Sequence, residues 1–168
     1  GKQMTDVAAV RGNRMRADPR LVLTKALLLP FQIFLPDFSF PYGSGLSAFV
    51  TKRAAKVVDS SRHRFEDCSG WVDRSYDCWA TKGVLRTRLR FPNGAEIDVY
   101  NTHLDAGQSS RAWKVRKDQL AELIALIARG SAGRAVIVAG DFNTALDRME
   151  NVEAMRVFKH GTGLADAG

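Results

Sequence analysis

The chain has 168 residues, 45% of them hydrophobic, and sets 25 Lys and Arg against 18 Asp and Glu for a formal charge of +7. The length suits one domain, and the apolar content is enough to build a core, which excludes wholesale disorder. The positive balance favours polyanions, whether nucleic acid or an anionic membrane surface, and it serves plain solubility equally well.

The chain begins Gly1-Lys2-Gln3 with no signal-peptide pattern, and Arg11, Arg14, Arg16 and Arg20 crowd its first stretch. Residues 21–29 suit a short helix ended by Pro30. The most apolar run, Leu21 to Leu35, is broken by Lys25, Pro30 and Gln32 and is too short to span a bilayer. Lying on a membrane surface is compatible with it. Phe31 to Pro41 reads as an irregular aromatic loop, filling a core or an interface. Tyr42-Gly43-Ser44-Gly45 is a turn. Leu46–Val50 and Ala54–Val58 follow as short extended pieces, and residues 59–80 read as a long polar connection at one end of a sheet. That connection holds Cys68 and Cys78. With no Cys-x-x-Cys nearby, a closed zinc site is not expected, and the pair suits either a short-loop disulfide or two idle thiols.

Val84 to Phe91 alternates, with Leu85, Thr87, Leu89 and Phe91 on one face and Val84, Arg86, Arg88 and Arg90 on the other. Pro92-Asn93-Gly94 turns the chain into Glu96–Tyr100, so this is a hairpin. Its second strand runs into Asn101-Thr102-His103-Leu104. Ser109 or Ser110 caps a helix reaching about Arg129, buried through Leu120, Leu123, Ile124 and Ile127. Gly130 to Gly133 ends it, and Ala135–Ala139 reads as a buried strand leading to Gly140-Asp141-Phe142-Asn143. Residues 147–159 suit one more helix. The order strand, strand, helix, strand predicts an α/β or α+β layered domain with polar chemistry at strand ends.

Asp141 and Asn143 are two apart, so an extended backbone would point both at one space. A carboxylate and a carboxamide there can bind a hard cation, hold a water near phosphorus or donate to a phosphoryl oxygen. The same residues also make an ordinary strand-end turn. His103 can protonate or steady a phosphoryl group, or be a structural imidazole bonded to backbone. Asn101 can orient substrate or pin the loop. Lys82 can meet a phosphate as a point charge or sit in solvent. Gln119, one turn beyond Arg116, can be a buried brace or part of a wet helix face. The Arg86, Arg88 and Arg90 stripe can touch phosphates or form an exposed strand face.

Three segments in order resemble the endonuclease/exonuclease/phosphatase superfamily. They are Tyr100-Asn101-Thr102-His103-Leu104-Asp105-Ala106, Arg116-x-x-Gln119-Leu120 and Val138-Ala139-Gly140-Asp141-Phe142-Asn143. Gly43-Ser44-Gly45-Leu46-Ser47 is similar to the family's Gly-rich entry to a strand. Ala80-Thr81-Lys82-Gly83-Val84-Leu85 is similar to the Lys-Gly-Val segment of its neutral sphingomyelinase-like branch. The match is best over residues 43–144, within a single partial domain spanning 1–168.

The resemblance implies an α+β fold, the four-layer α/β/β/α sandwich of the DNase I-like type, here incomplete at both ends. It implies magnesium-assisted hydrolysis of a phosphate ester, such as sphingomyelin or another phospholipid, by an activated water. His103 would steady or protonate the phosphoryl group, Asp141 would activate the water, and Asn143 would bind the phosphoryl group. Lys82 and Asn101 would meet substrate, while Gln119 and Arg116 would be structural support. The family's early Asn strand motif, its magnesium-binding Glu and its closing Ser-Asp-His motif have no counterpart in this sequence. The expectation is therefore weak or absent Mg2+ binding and little turnover by the isolated chain, with a complementary chain supplying the missing strands. A DNase-like nuclease is the second enzyme reading, and a non-catalytic binding protein on the same fold is the third.

Overall fold

The computed structural model describes residues 7–11, 45–70, 77–78, 80–145 and 148–167. The helix expected at 21–29, the aromatic loop from Phe31 to Pro41, Arg14, Arg16, Arg20 and the turn residues Tyr42 to Ser44 lie outside the described residues. Two strands, β1 (Val7–Arg11) and β2 (Ser47–Thr51), pair antiparallel, from Val7 opposite Thr51 to Arg11 opposite Ser47. The other sheet has four strands in chain order: β3 (Lys56–Arg64), β4 (Gly83–Arg90), β5 (Glu96–His103) and β6 (Ala135–Asp141). β3, β4 and β5 form an antiparallel meander, and β6 joins β5 in parallel. A parallel neighbour needs a long crossover, supplied by α1 (Ser110–Gly130). The last element is α2 (Met149–Thr162).

β3 is longer than the sequence pattern allows for. Residues 59–64 belong to this strand rather than to a long connection. Asp-Ser-Ser-Arg-His-Arg has no apolar alternation to signal a strand. It is held by its ladder to β4, by an ion pair between Asp59 and Arg86, and by His63 Nε2 lying 2.9 Å from Glu122 Oε2 on α1. β6 also departs from expectation. Ala135, Ile137 and Ala139 are exposed while Val136 and Val138 are half-buried, so β6 is an edge strand with one covered face.

The hairpin is as expected, with Gly94 in the left-handed region at φ +85° inside the turn. Ser109 caps α1, its side chain accepting from the Ala112 N–H at 3.1 Å. One face of the four-stranded sheet packs on both helices. Val84 and Tyr100 of the sheet meet Leu120, Leu123 and Ile127 of α1 and Ala154 and Phe158 of α2. Each Val, Leu, Ile or Phe side chain among these, fully buried, contributes roughly 1.5–3 kcal/mol.

The arginine stripe divides: Arg90 is exposed and pairs with Glu96, while Arg86 and Arg88 are half-buried and turned to partners within the fold. Asp98, fully buried, accepts from Arg88 Nε at 2.8 Å, Arg134 Nε at 3.0 Å and Ser131 Oγ at 2.6 Å. Arg86, Arg88 and Arg134 all donate to the Gly130 carbonyl at the end of α1. Cations gathered at a helix C-terminus satisfy its last carbonyls and complement its dipole. The result is a mixed α/β fold, a central sheet flanked by two helices, consistent with the DNase I-like sandwich.

Candidate functional site

In the β5–β6 ladder Thr102 lies opposite Gly140 and His103 opposite Asp141. Gly140 is required for that register. Its φ is +138°, and a Cβ there would fall 2.0 Å from the Thr102 carbonyl oxygen. The close approach brings the last residues of both strands together. His103 Nε2 and Asp141 Oδ2 are 3.8 Å apart, too far for a hydrogen bond. Asp141 is 64% exposed at its side chain and His103 34%, so both reach solvent.

β6 stops at Asp141, so an extended backbone does not explain how Asn143 joins it. Asn143 sits at φ +50°, and its N–H donates to Asp141 Oδ1 at 2.9 Å. Its Nδ2 donates to the Leu104 carbonyl at 2.9 Å. The turn reading of this pair holds: the Asn143 backbone N–H closes on the Asp141 carboxylate, while its carboxamide turns to the Leu104 carbonyl, and both residues line one cleft.

Lys82 is buried, not solvated. Its Nζ lies 3.0 Å from Asp77 Oδ1 and 3.0 Å from His103 Nε2. An ammonium can only donate, so Nε2 accepts and the imidazole proton is on Nδ1. Burial pushes the His103 pKa below its usual value, and the Lys82 charge adds to that, against an opposing pull from Asp141 and Asp77. His103 is thus held neutral as a hydrogen-bond acceptor. In that state Nε2 has no proton to give.

Behind this row lies a braced loop. Asp105, fully buried, accepts from Ser69 N at 2.8 Å, Ser69 Oγ at 2.8 Å and Gly107 N at 3.1 Å. Its own N–H donates to Gln119 Oε1 at 2.9 Å, and Gln119 Nε2 donates to the Asp67 carbonyl at 2.9 Å. Arg116 Nη1 donates to the Asp105 and Gly107 carbonyls. Gln119 and Arg116 are buried braces. Asn101 Nδ2 donates to the Ser47 carbonyl at 3.1 Å, which ties β5 to β2. The Cys68–Cys78 disulfide, with sulfurs 2.02 Å apart, joins the strand-end segments carrying Ser69 and Asp77. Asp77, Ser69 and Asp105 were not singled out by sequence as contributors to the site. Polar residues in a loop without periodicity carry no signal of burial.

A cleft of about 560 Å³ opens beside Asp141 and Asn143 and extends to Arg116 and Arg148. His103 and Lys82 do not line it. Among the described residues no group of three or more His, Cys, Asp or Glu side chains could hold a metal ion. A hard cation needs several oxygens, and the nearby carboxylates of Asp77 and Asp105 are already committed to Lys82 and to backbone donors. Among the described residues the donor set does not fit a magnesium ion.

No protein-family model matches the chain. It is 33% identical over 127 residues to sphingomyelinases of Mycobacterium tuberculosis and Mycobacterium bovis, covering 76% of this chain. The chain spans about a quarter of the length of these curated relatives, 23%. Its fold is similar to that of a β-hairpin deletion mutant of β toxin from Staphylococcus aureus, with a TM-score of 0.58 at 18% identity, covering 96% of this chain and 60% of the toxin chain. It is also similar to the human Nocturnin catalytic domain with a bound sulfate anion, with a TM-score of 0.51 at 18% identity, covering 88% of this chain and 55% of that one.

Proposed function

We propose that this chain, which over part of its length belongs to the sphingomyelinase-like branch of the endonuclease/exonuclease/phosphatase superfamily, carries half of a phosphate-ester hydrolysis site. The observation that carries the reading is the pairing of His103 with Asp141 at the end of β5 and β6, with Asn143 closing a turn on the Asp141 carboxylate through its backbone N–H. Asp141, exposed at the end of β6, orients or deprotonates a water. Asn143 keeps one carboxamide hydrogen free of the Leu104 carbonyl for a phosphoryl oxygen. Lys82 supplies positive charge through His103 to the same place, which favours the charge developing on a phosphoryl group. Asn101 and Gln119 hold the strands and loop in register. Among the described residues the donor set does not fit magnesium, so no step here is routed through it.

The substrate proposed first is a phospholipid of the sphingomyelin type, on the strength of the mycobacterial relatives. The +7 charge supports a second reading, a nuclease drawn to a polyanion. Sphingomyelin vesicles and plasmid DNA are offered in parallel, with magnesium, to the chain and to its His103→Ala and Asp141→Asn variants. Slow sphingomyelin hydrolysis, lost in both variants, is expected. DNA cleavage lost in the same variants would select the nuclease reading. No turnover of either would sink the hydrolase reading and leave a binding protein on this fold.

A further inference from the structure

Arg116 is 5% exposed, yet among the described residues no carboxylate forms an ion pair with it. Its hydrogen bonds among the described residues run from Nη1 to two carbonyls, and its buried Nε–H has no acceptor there. A guanidinium taken out of water without an anion costs several kcal/mol unless something compensates it. The surroundings make this worse. Burial lowers the Arg116 pKa, and Arg148 adds like-charge repulsion against the pull of Asp105 and Asp77. Arg148 forms no ion pair among the described residues and makes only a long contact, 3.5 Å, from Nη2 to Gln108 Oε1. A third donor, the buried Trp113 Nε1–H one turn before Arg116, also has no acceptor.

These three residues share one place. Arg116 and Arg148 line both the cleft at Asp141 and a second cleft of about 470 Å³ with Trp113, Gln108 and the first residues of α1. Glu150 also lines that second cleft. Two like charges held together, one of them buried, beside unpartnered N–H donors at a helix start, form a site for an anion. We propose that Arg116, Arg148 and Trp113 form a subsite for a phosphate-class oxyanion, next to Asp141 but separate from the hydrolytic pair. Arg116 provides the fixed, desolvated charge, and Arg148 closes over the ligand from the surface. A fully esterified or neutral ligand does not satisfy it.

The test uses inorganic phosphate and the whole chain, and follows the Trp113 indole N–H by nitrogen-edited NMR. Phosphate is expected to shift that signal saturably. Arg148→Ala keeps the backbone carbonyl that caps α2 and should weaken binding by about fivefold to tenfold, the effect of one charge-assisted bond. Arg111→Ala, exposed on the same helix, should leave it unchanged. An unmoved Trp113 signal, or equal binding by Arg148→Ala and the parent chain, would overturn the proposal. A propane-1,3-diol bisphosphate titration runs beside it. Binding tenfold tighter than phosphate assigns the subsite to a second phosphate on a substrate, and equal binding assigns it to free phosphate. Because the readout needs no turnover, failure of the hydrolase reading leaves this result intact.

Discussion

Lys82 Nζ stands 3.0 Å from His103 Nε2, so a buried ammonium donates to the one imidazole nitrogen that also approaches Asp141. The contact sets the tautomer and the charge of the histidine together.

The first prediction concerns this contact. Burial lowers the His103 pKa first and Lys82 lowers it further, so the folded value lies below the unfolded one. Protonation then favours the unfolded chain, and the stability His103 contributes is present at neutral pH and lost as pH falls through the folded pKa. Lys82→Met should raise the His103 pKa towards the ordinary histidine value or beyond. The ring Cε1–H signal in a pH titration reads it, and an unchanged midpoint would refute the assigned hydrogen bond.

Asp98 gives a second pH dependence with a different origin. Burial raises its pKa, but hydrogen bonds from Arg88, Ser131 and Arg134 outweigh that and hold it at about 2. The folded value is depressed, so its stabilisation is full above pH 4 and disappears as pH falls towards 2, a loss of roughly 2 kcal/mol. Asp98→Asn should cost about 3–5 kcal/mol at neutral pH, because it leaves Arg88 and Arg134 without their anion. Urea unfolding of both proteins at pH 7 and pH 3 measures this, and the gap between them should narrow at the lower pH.

Gly140→Ala should be among the most damaging single-methyl changes in the chain. The added carbon would lie 2.0 Å from the Thr102 carbonyl oxygen, and a backbone atom in a ladder cannot swing aside. A cost of about 3 kcal/mol or more is expected, from overpacking together with a positive φ. A variant that unfolds at the parent's urea midpoint would show that the β5–β6 approach is not tight.

The disulfide links stability to the site. Replacing Cys68 and Cys78 by Ser should cost roughly 2–3 kcal/mol on the chain-entropy account of a loop this short. It should also loosen Ser69 and Asp77, and with Asp77 the ion pair to Lys82. The expected sign is a His103 titration midpoint that moves along with the lower thermal midpoint. A lower thermal midpoint with an unmoved His103 would confine the bridge to a purely structural role.

Periodicity in the sequence is enough to determine the β4–β5 hairpin, α1 with its Ser109 cap, and the apolar approach to Asp141. In each, side chains repeat at a spacing that only one backbone conformation can bury on one face. His103, Asp141 and Asn143 were legible for the same reason, since they stand at the ends of readable elements. Tertiary structure decided the rest. β3 beyond Val58 has no apolar pattern and is a strand because β4 offers it a ladder. Arg86 and Arg88 of β4 are drawn inward because the Gly130 carbonyl, and for Arg88 also Asp98, lie beside them, while Arg90 stays exposed against Glu96. Lys82 is buried because Asp77, brought near by a disulfide, takes its charge. Burial of a charge depends on which opposite charge the folded chain sets against it, and no local spacing encodes that partner.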